Sequence, residues 1–428
     1  ASLFFYAWGE PRWILLLLAS ILVTWLLGRA MRPEASAGRR RGLLILGLVF
    51  QLGLLVAVKY AGFFFGAFID LPKLHLPLGV SFYTFHAISY LVDVYRQKTP
   101  PQKNLLRLGL YLALFPKLVM GPIVPYHELE PALAQRTPSV QDVSDGCFRF
   151  TIGLAKKALL ADALAGLVTG IWGDLASLTV LSAWLGLIGY ALQLYFDFSG
   201  YSDMAIGLGR MLGFRFPENF RYPYLCSSIS DFWRRWHISL GSWFKEYLYF
   251  PLGGSRAGTL RTLRNLLLVW LATGLWHGAS WNYVLWGLYF GVLICLEKLL
   301  APRFRAHPRK GLLAGLYRPV CLLLAVLGWV LFRAEDLPAA GRYFACLFGG
   351  AAGASAQARL YLHDFWPVLL LGAVGATPLC AKLAGRLGAK LQPGVRAAVQ
   401  AVLVLALLAC STVWLLNGSF QSFVYFQF

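Results

Sequence analysis

Two histidines stand where ionisable side chains are hard to keep. His277 lies in Trp276-His277-Gly278, at the end of the apolar run 266–275, and His237 lies forty positions earlier in Asp231-Phe232-Trp233-Arg234-Arg235-Trp236-His237-Ile238-Ser239-Leu240. An ionisable group inside a hydrophobic segment is costly and marks a functional position. An imidazole titrates near neutrality, so it can take a proton from an attacking hydroxyl, a transfer worth ~10²–10⁴-fold in rate. On a helix, Gly274 and Gly278 fall one turn apart and bare one flank beside His277, where a substrate or a second helix could approach. Trp276 and Trp281 would wall such a pocket and help to exclude water. His237, one helical turn from Trp233, reads in two ways. It is an interfacial histidine among the Trp and Arg that favour that depth, or a positioning or proton-handling partner of His277. The two imidazoles are expected to share one buried site at mid-depth in the membrane.

Asp197 and Asp203 flank Ser199, Tyr201 and Ser202. In a hydrophobic chain these carboxylates need partners, and Arg210, Arg215 and Arg221 are the nearest cations downstream. Arg234, Arg235 and Lys245 could hold the phosphates of a nucleotide-like donor or anchor to lipid headgroups. No G-x-S-x-G elbow, phosphate-binding G-x-x-x-x-G-K-[ST] loop or H-E-x-x-H pair occurs. Serine-triad hydrolysis, ATP-driven pumping and zinc proteolysis are therefore disfavoured.

The elements that must position these groups are membrane helices. The chain has 428 residues, 58% hydrophobic and 14% charged, against about 25% charged in a soluble domain. Measured against about 20 apolar residues per span, it holds roughly ten or eleven transmembrane helices. We expect one continuous all-α membrane domain over residues 1–428, with re-entrant or interfacial helices around a central tunnel. The net charge of +20 gathers in short loops such as Arg39-Arg40-Arg41, Arg303-Arg305-Arg309-Lys310 and Lys382-Arg386-Lys390, as the positive-inside rule expects. No nucleic-acid partner is indicated. The seven cysteines are scattered without a C-x-x-C pair, so neither a disulfide framework nor a metal site follows.

Along the chain, the basic loop 29–41 is expected on the cytoplasmic side. Spans 43–68 and 76–94 are expected to join through a polar turn at Asp70 to His75. The segment 105–124, broken by Pro116 and Pro122, reads as re-entrant or kinked. A span at 178–196 is expected to give way at Asp197 to an interfacial helix and loop reaching Pro223, loosened by Gly207, Gly209 and Gly213. The chain opens at Ala1 inside an apolar run with no cleavable signal peptide, and its amino end is expected to be truncated.

Leu275-Trp276-His277-Gly278, following 231–240, resembles the membrane-bound O-acyltransferase (MBOAT) family, and within it the bacterial alginate O-acetylation branch. The resemblance extends to Phe4 through Pro11, Pro77 through Phe85, Phe196 through Ala205, Asn219 through Tyr224, Tyr247 through Gly254, and Tyr425 through Phe428. It implies an O-acyltransferase with a tunnel through the membrane. The family's essential histidine falls on His277 and its second position on His237. Trp276, Trp236, Arg234, Arg235, Asp197, Asp203 and Asn219 are then expected to contact substrate. No cofactor is bound permanently, and the donor is expected to be cytoplasmic acetyl-CoA. The acetyl group passes across the bacterial inner membrane to a polysaccharide such as alginate, often through a secreted or membrane-anchored SGNH-type acetyltransferase partner. The family also carries a hydrophobic segment ahead of Phe4. Alternatives are D-alanyl transfer from a carrier protein to teichoic acid, a transporter or flippase, and a scaffold subunit without chemistry.

Overall fold

The computed structural model describes residues 1–65, 77–256, 258–306, 312–418 and Phe423. The turn expected at Asp70 to His75, the last residues of the 43–68 span, Arg309 and Lys310, and the aromatic end Tyr425 through Phe428 lie outside the described residues. Every regular element among the described residues is a helix. Lipid offers no hydrogen bonds to the backbone, so an apolar chain satisfies its N–H and C=O groups within each segment.

Five helices among the described residues are long and apolar enough to cross a membrane: Ala37–Phe64, Val180–Met211, Trp281–Leu300, Gly315–Arg333 and Pro393–Asn417. A sixth span arises if Ala356–Gly375 and Leu379–Gly388, bent by 67°, count as one. The bend falls at Gly375 and Pro378, where proline cannot donate to the helix ladder. Other apolar stretches form shorter helices, such as Ile14–Ala30 and Val80–Tyr95. The proline-broken segment divides into Leu105–Ala113 and Phe115–Leu118 at Leu114, which is extended, and Pro116 falls in the first turn of the second helix, where its missing N–H would have had no partner.

The chain divides into two compact units. One comprises Ala1–Phe150, Met204–Glu218 and Ser242–Pro251; the other comprises Thr151–Asp203, Asn219–Gly241 and Leu252–Phe428. In the first, Val80–Tyr95 is buried on all sides from Val80 to Val94, as befits a helix that is apolar nearly all round. Ser89 and Asp93 find partners within the unit, while the Tyr83 and Thr84 hydroxyls and both His86 ring nitrogens are buried without a hydrogen-bond partner among the described residues. The Trp243 indole donates to Ser89 Oγ at 2.8 Å, and the Tyr247 hydroxyl donates to Asp93 Oδ1 at 2.9 Å.

The second unit is built on Val180–Met211, whose residues up to Asp203 belong to it. The break expected at Asp197 does not occur: the helix runs on for 32 residues, about 48 Å at 1.5 Å per residue. It continues because its polar residues find buried partners rather than water. Asp197 lies 2.8 Å from the Lys157 ammonium, Asp203 lies 2.6 Å from that of Lys156, and Ser202 Oγ accepts from Asn219 at 3.1 Å. Both lysines belong to the short π-helix Lys156–Ala161. Gly200 brings them there, since a Cβ on it would lie 2.7 Å from the Gly153 carbonyl.

Helices Thr259–His277 and Trp281–Ala306 pack back to back in the same unit. A Cβ on Gly287 would lie 3.0 Å from the Gly274 Cα, and one on Gly274 would run into the Tyr283 carbonyl. The flank bared by Gly274 is thus taken by a second helix. Beside this pair Trp233, Trp270, Trp286 and Phe290 interlock with centroids 4.6–6.3 Å apart, every pair edge to face except the tilted Trp270–Phe290, the geometry that aromatic quadrupoles favour.

Candidate active site

His277 is the last residue of Thr259–His277, not an interior one, and Gly278 continues in extended backbone. Its ring is buried among Trp276, Trp286 and Phe332, each edge to face at 4.8, 4.9 and 5.2 Å between centroids. Gly278 is needed because a Cβ there would strike the Tyr283 ring.

His237 departs from its expected place on a helix. It lies between the short helices Ile229–Trp233 and Ile238–Phe244, with φ of 44°. A non-glycine residue in the left-handed region stores about 1–3 kcal/mol and persists only where its surroundings over-determine it. Here Asn219 does so. Its carbonyl accepts from the Ile238 N–H at 3.0 Å, and its Oδ1 accepts from the Ser239 N–H at 3.2 Å and the Ser239 hydroxyl at 2.9 Å. His237 Nδ1 lies 3.2 Å from that same Oδ1.

These bonds decide the tautomer. A backbone N–H can only donate, so the Asn219 atom facing Ser239 must be the oxygen. His237 Nδ1 must then carry the proton and donate. Nε2 is left with its lone pair, buried and with no hydrogen-bond partner among the described residues. Burial pushes the His237 pKa down to about 3, so the ring is neutral near pH 7. Phe198 stands edge-on to it at 4.6 Å, and Trp276 at 6.3 Å. Trp276 thus touches both histidines, and the imidazoles are separated by less than those two ring-to-ring steps combined.

The other residues singled out from the sequence divide. Trp276 and Asn219 lie with the histidines. Trp236 is buried instead in the aromatic core, against Trp329 at 4.8 Å, Phe220 at 5.1 Å and Phe232 at 5.7 Å. Arg234 and Arg235 turn outward to Asp231 at 3.5 and 3.1 Å, and the Arg234 side chain is 68% exposed. Asp197 and Asp203 are held by lysines, not by the three arginines. Arg210 and Arg215 pair with Asp142 at 3.2 and 2.7 Å. The close Gly153–Gly200 approach sets the lysines against the carboxylates.

Sequence reasoning missed Glu297. Its carboxylate accepts from the Ile229 and Ser230 N–H groups at 2.7 and 2.9 Å, from the Ser230 hydroxyl at 2.6 Å and from the Tyr317 hydroxyl at 2.6 Å. It fixes the start of the short helix that leads to His237. A lone acid in the apolar run 281–300 was the available signal. Lys157 was missed too; it was hidden as the second of two lysines opening an apolar stretch.

The MBOAT family model matches residues 103–314, a stretch that holds both histidines. The chain is 43% identical over 362 residues to the probable alginate O-acetylase of Pseudomonas aeruginosa, covering 81% of this chain and 68% of that protein. It is 36% identical over 376 residues to the peptidoglycan O-acetyltransferase of Helicobacter pylori, covering 79% and 71%. To the teichoic acid D-alanyltransferase of Bacillus subtilis it is 29% identical over 248 residues, covering 53% and 62%. With several apolar helices and so extended a likeness, this chain is a multi-pass membrane acyltransferase belonging to the membrane-bound O-acyltransferase family.

Proposed function

We propose that the His237–His277 centre transfers an acetyl group from a cytoplasmic thioester, acetyl-CoA, to a hydroxyl, and so serves O-acetylation of an extracytoplasmic polysaccharide such as alginate. The observation that carries this reading is the Asn219–His237 bond at 3.2 Å. It leaves a neutral imidazole with a buried lone pair one tryptophan away from a second imidazole. A hydroxyl oxygen attacks the thioester carbonyl while an imidazole takes its proton. The C–O bond forms, the C–S bond breaks, and the departing thiolate recovers the proton from the imidazolium.

In this reading His277 is the base, or briefly the acyl carrier. It sits at a helix carboxyl end, whose negative partial charge suits the imidazolium that forms. His237 offers Nε2 to orient the hydroxyl or relay its proton. Trp276, Trp286 and Phe332 keep water from the thioester. Residues 1–428 act as one domain of the bacterial inner membrane, with roughly ten or eleven spans around a tunnel. An SGNH-type partner hands the acetyl group to the polymer, and no cofactor is held permanently.

Acetyl is preferred as cargo because the relatives named for alginate and peptidoglycan O-acetylation match about four-fifths of the chain at 36–44% identity. D-alanyl transfer from a carrier protein is the second reading, supported by the teichoic acid D-alanyltransferase likeness over half the chain. Proteoliposomes given labelled acetyl-CoA test the two. Release of free CoA with label on an acceptor is expected, and His277→Ala should abolish both while the protein melts as the parent does. Retained transfer in that variant sinks the mechanism. Turnover only with a D-alanyl carrier protein would select the second reading.

A further inference from the structure

The ends of three helices surround a cavity of about 1180 Å³ in the first unit. Arg29 and Arg32 come from the end of Ile14–Ala30 and the turn after it, Arg39 from the first turn of Ala37–Leu55, and Lys103 from the loop before Leu105–Ala113. Against these four cations the wall carries one acid, Glu34. Among the described residues, none of the five side chains makes an ion pair or a hydrogen bond. Arg29 rests on the Trp25 ring, with Cζ 5.8 Å from its centroid.

The walls are fixed from behind. A Cβ on Gly28 would run into the Tyr90 ring, so Ile14–Ala30 and Val80–Tyr95 touch there. The Tyr90 hydroxyl accepts from the Gln102 N–H at 3.0 Å, and the Gln102 amide donates to the Tyr126 hydroxyl at 3.0 Å, which pins the loop that carries Lys103. Ser36 Oγ accepts from the Arg39 N–H at 3.3 Å and fixes the start of Ala37–Leu55. Cations held together in this way repel one another, and a phosphate between them relieves the repulsion. No aromatic ring lines the cavity among the described residues, and Pro100 and Pro101 in its wall offer no N–H to a base edge. It therefore reads phosphate and not a nucleotide base. Leu26 belongs to the wall, and Leu15, Leu18 and Leu22, all exposed, continue along the same face of its helix. One helix thus carries an apolar track that ends in a cation, as a lipid chain ends in its headgroup. The charge of the loop 29–41 is that expected of the cytoplasmic face, where the leaflet holds anionic lipid and basic pockets between helices bind its headgroups.

We propose that Arg29, Arg32, Arg39 and Lys103 seat the phosphate of an anionic phospholipid, with an acyl chain laid along Leu15, Leu18, Leu22 and Leu26. The inference stands apart from the acyl-transfer reading, and its test is a binding measurement. The full chain in mild detergent is titrated with phosphatidylglycerol and with phosphatidylcholine of the same acyl chains, and bound lipid is counted by native mass spectrometry. Phosphatidylglycerol should bind about tenfold more tightly, or better. Arg32→Gln and Lys103→Gln, both at exposed positions, should each weaken it about fivefold, the worth of one basic residue at an anionic surface, and leave phosphatidylcholine unchanged. Glu34→Gln should tighten it. Arg342→Gln, which removes an exposed cation of the second unit, should change neither lipid.

Equal binding of the two lipids by the parent overturns the proposal. So does an Arg342→Gln variant weakened as much as Arg32→Gln, because net charge alone would then set the affinity. Glycerophosphoglycerol, the same lipid stripped of its chains, should not displace phosphatidylglycerol; displacement would make the cavity a free-phosphate site and overturn the lipid assignment. Coenzyme A that competes with the lipid, and is weakened by the same two substitutions, would give the cavity to the nucleotide thioester and overturn it as well. Phosphatidylglycerol should raise the melting temperature of the parent and not that of the doubly substituted Arg32→Gln, Lys103→Gln chain. Melts without lipid show that each variant is folded. If His277→Ala retains acetyl transfer, the functional reading falls while the lipid result stands, so the two failures are told apart.

Discussion

His237 Nδ1 and Asn219 Oδ1 meet at 3.2 Å, and the same oxygen takes the Ser239 N–H. One carboxamide therefore fixes a strained backbone, a ring orientation and a tautomer together. The proposed chemistry depends on all three, because a ring turned over or protonated on the other nitrogen would present no lone pair at Nε2.

Asn219→Ala should lower kcat by about 10²-fold, the lower end of what a positioned proton acceptor supplies, with a smaller change in KM. It also strips partners from Ser202 and Ser239, so unfolding should cost about 1–3 kcal/mol less. Steady-state kinetics beside thermal melts separate the two effects. An unchanged kcat would mean that the tautomer does not matter.

The pH dependence has a definite sign. The His237 pKa falls from 6.5 unfolded to about 3 folded through burial. Below pH 6.5 the unfolded chain binds a proton that the folded one refuses, so stability should decline as pH drops through that window. His237→Gln should flatten the slope of melting temperature against pH. Asn219→Asp sets a carboxylate against Nδ1–H, which favours the imidazolium and raises the pKa. Its kcat should therefore begin to fall at a higher pH than the parent's on the acid side; coincident acid limbs would contradict this.

Gly274→Ala would drive a methyl into the Tyr283 carbonyl at the tightest point between Thr259–His277 and Trp281–Ala306. Overpacking of this kind costs about 1–3 kcal/mol. Because the strain lies one turn from His277, activity should fall along with stability. Gly315→Ala, where a Cβ meets nothing within 4 Å, is the control and should melt as the parent does.

Lys157 balances two buried carboxylates, Asp162 at 2.6 Å and Asp197 at 2.8 Å. Removing one partner of a buried pair leaves a charge uncompensated, at about 3–5 kcal/mol. Lys157→Met should destabilise by that order, and adding Asp197→Leu should recover part of the loss. A double-mutant cycle on thermal or denaturant unfolding checks it, and strict additivity would deny the coupling.

Composition and hydropathy already declared a helical membrane protein, since lipid admits little else for a chain so poor in charge. The same patterns marked His237, His277 and Trp276, because an ionisable group among apolar and aromatic residues stands out without any fold; Asn219 came only with the family resemblance. What sequence order could not decide was which distant group each polar residue meets. Asp197 and Asp203 had arginines close downstream, yet they pair with Lys157 and Lys156, about forty residues upstream. That choice, in turn, keeps Val180–Met211 one unbroken helix. Trp236 and Trp276 look alike in sequence, but one lies in the aromatic core and the other packs against both imidazoles. The left-handed turn at His237 comes from Asn219, 18 positions away. Hydrophobicity is a property of each residue and is legible along the chain. Pairing, tautomer and strain are properties of contacts, and folding alone creates those.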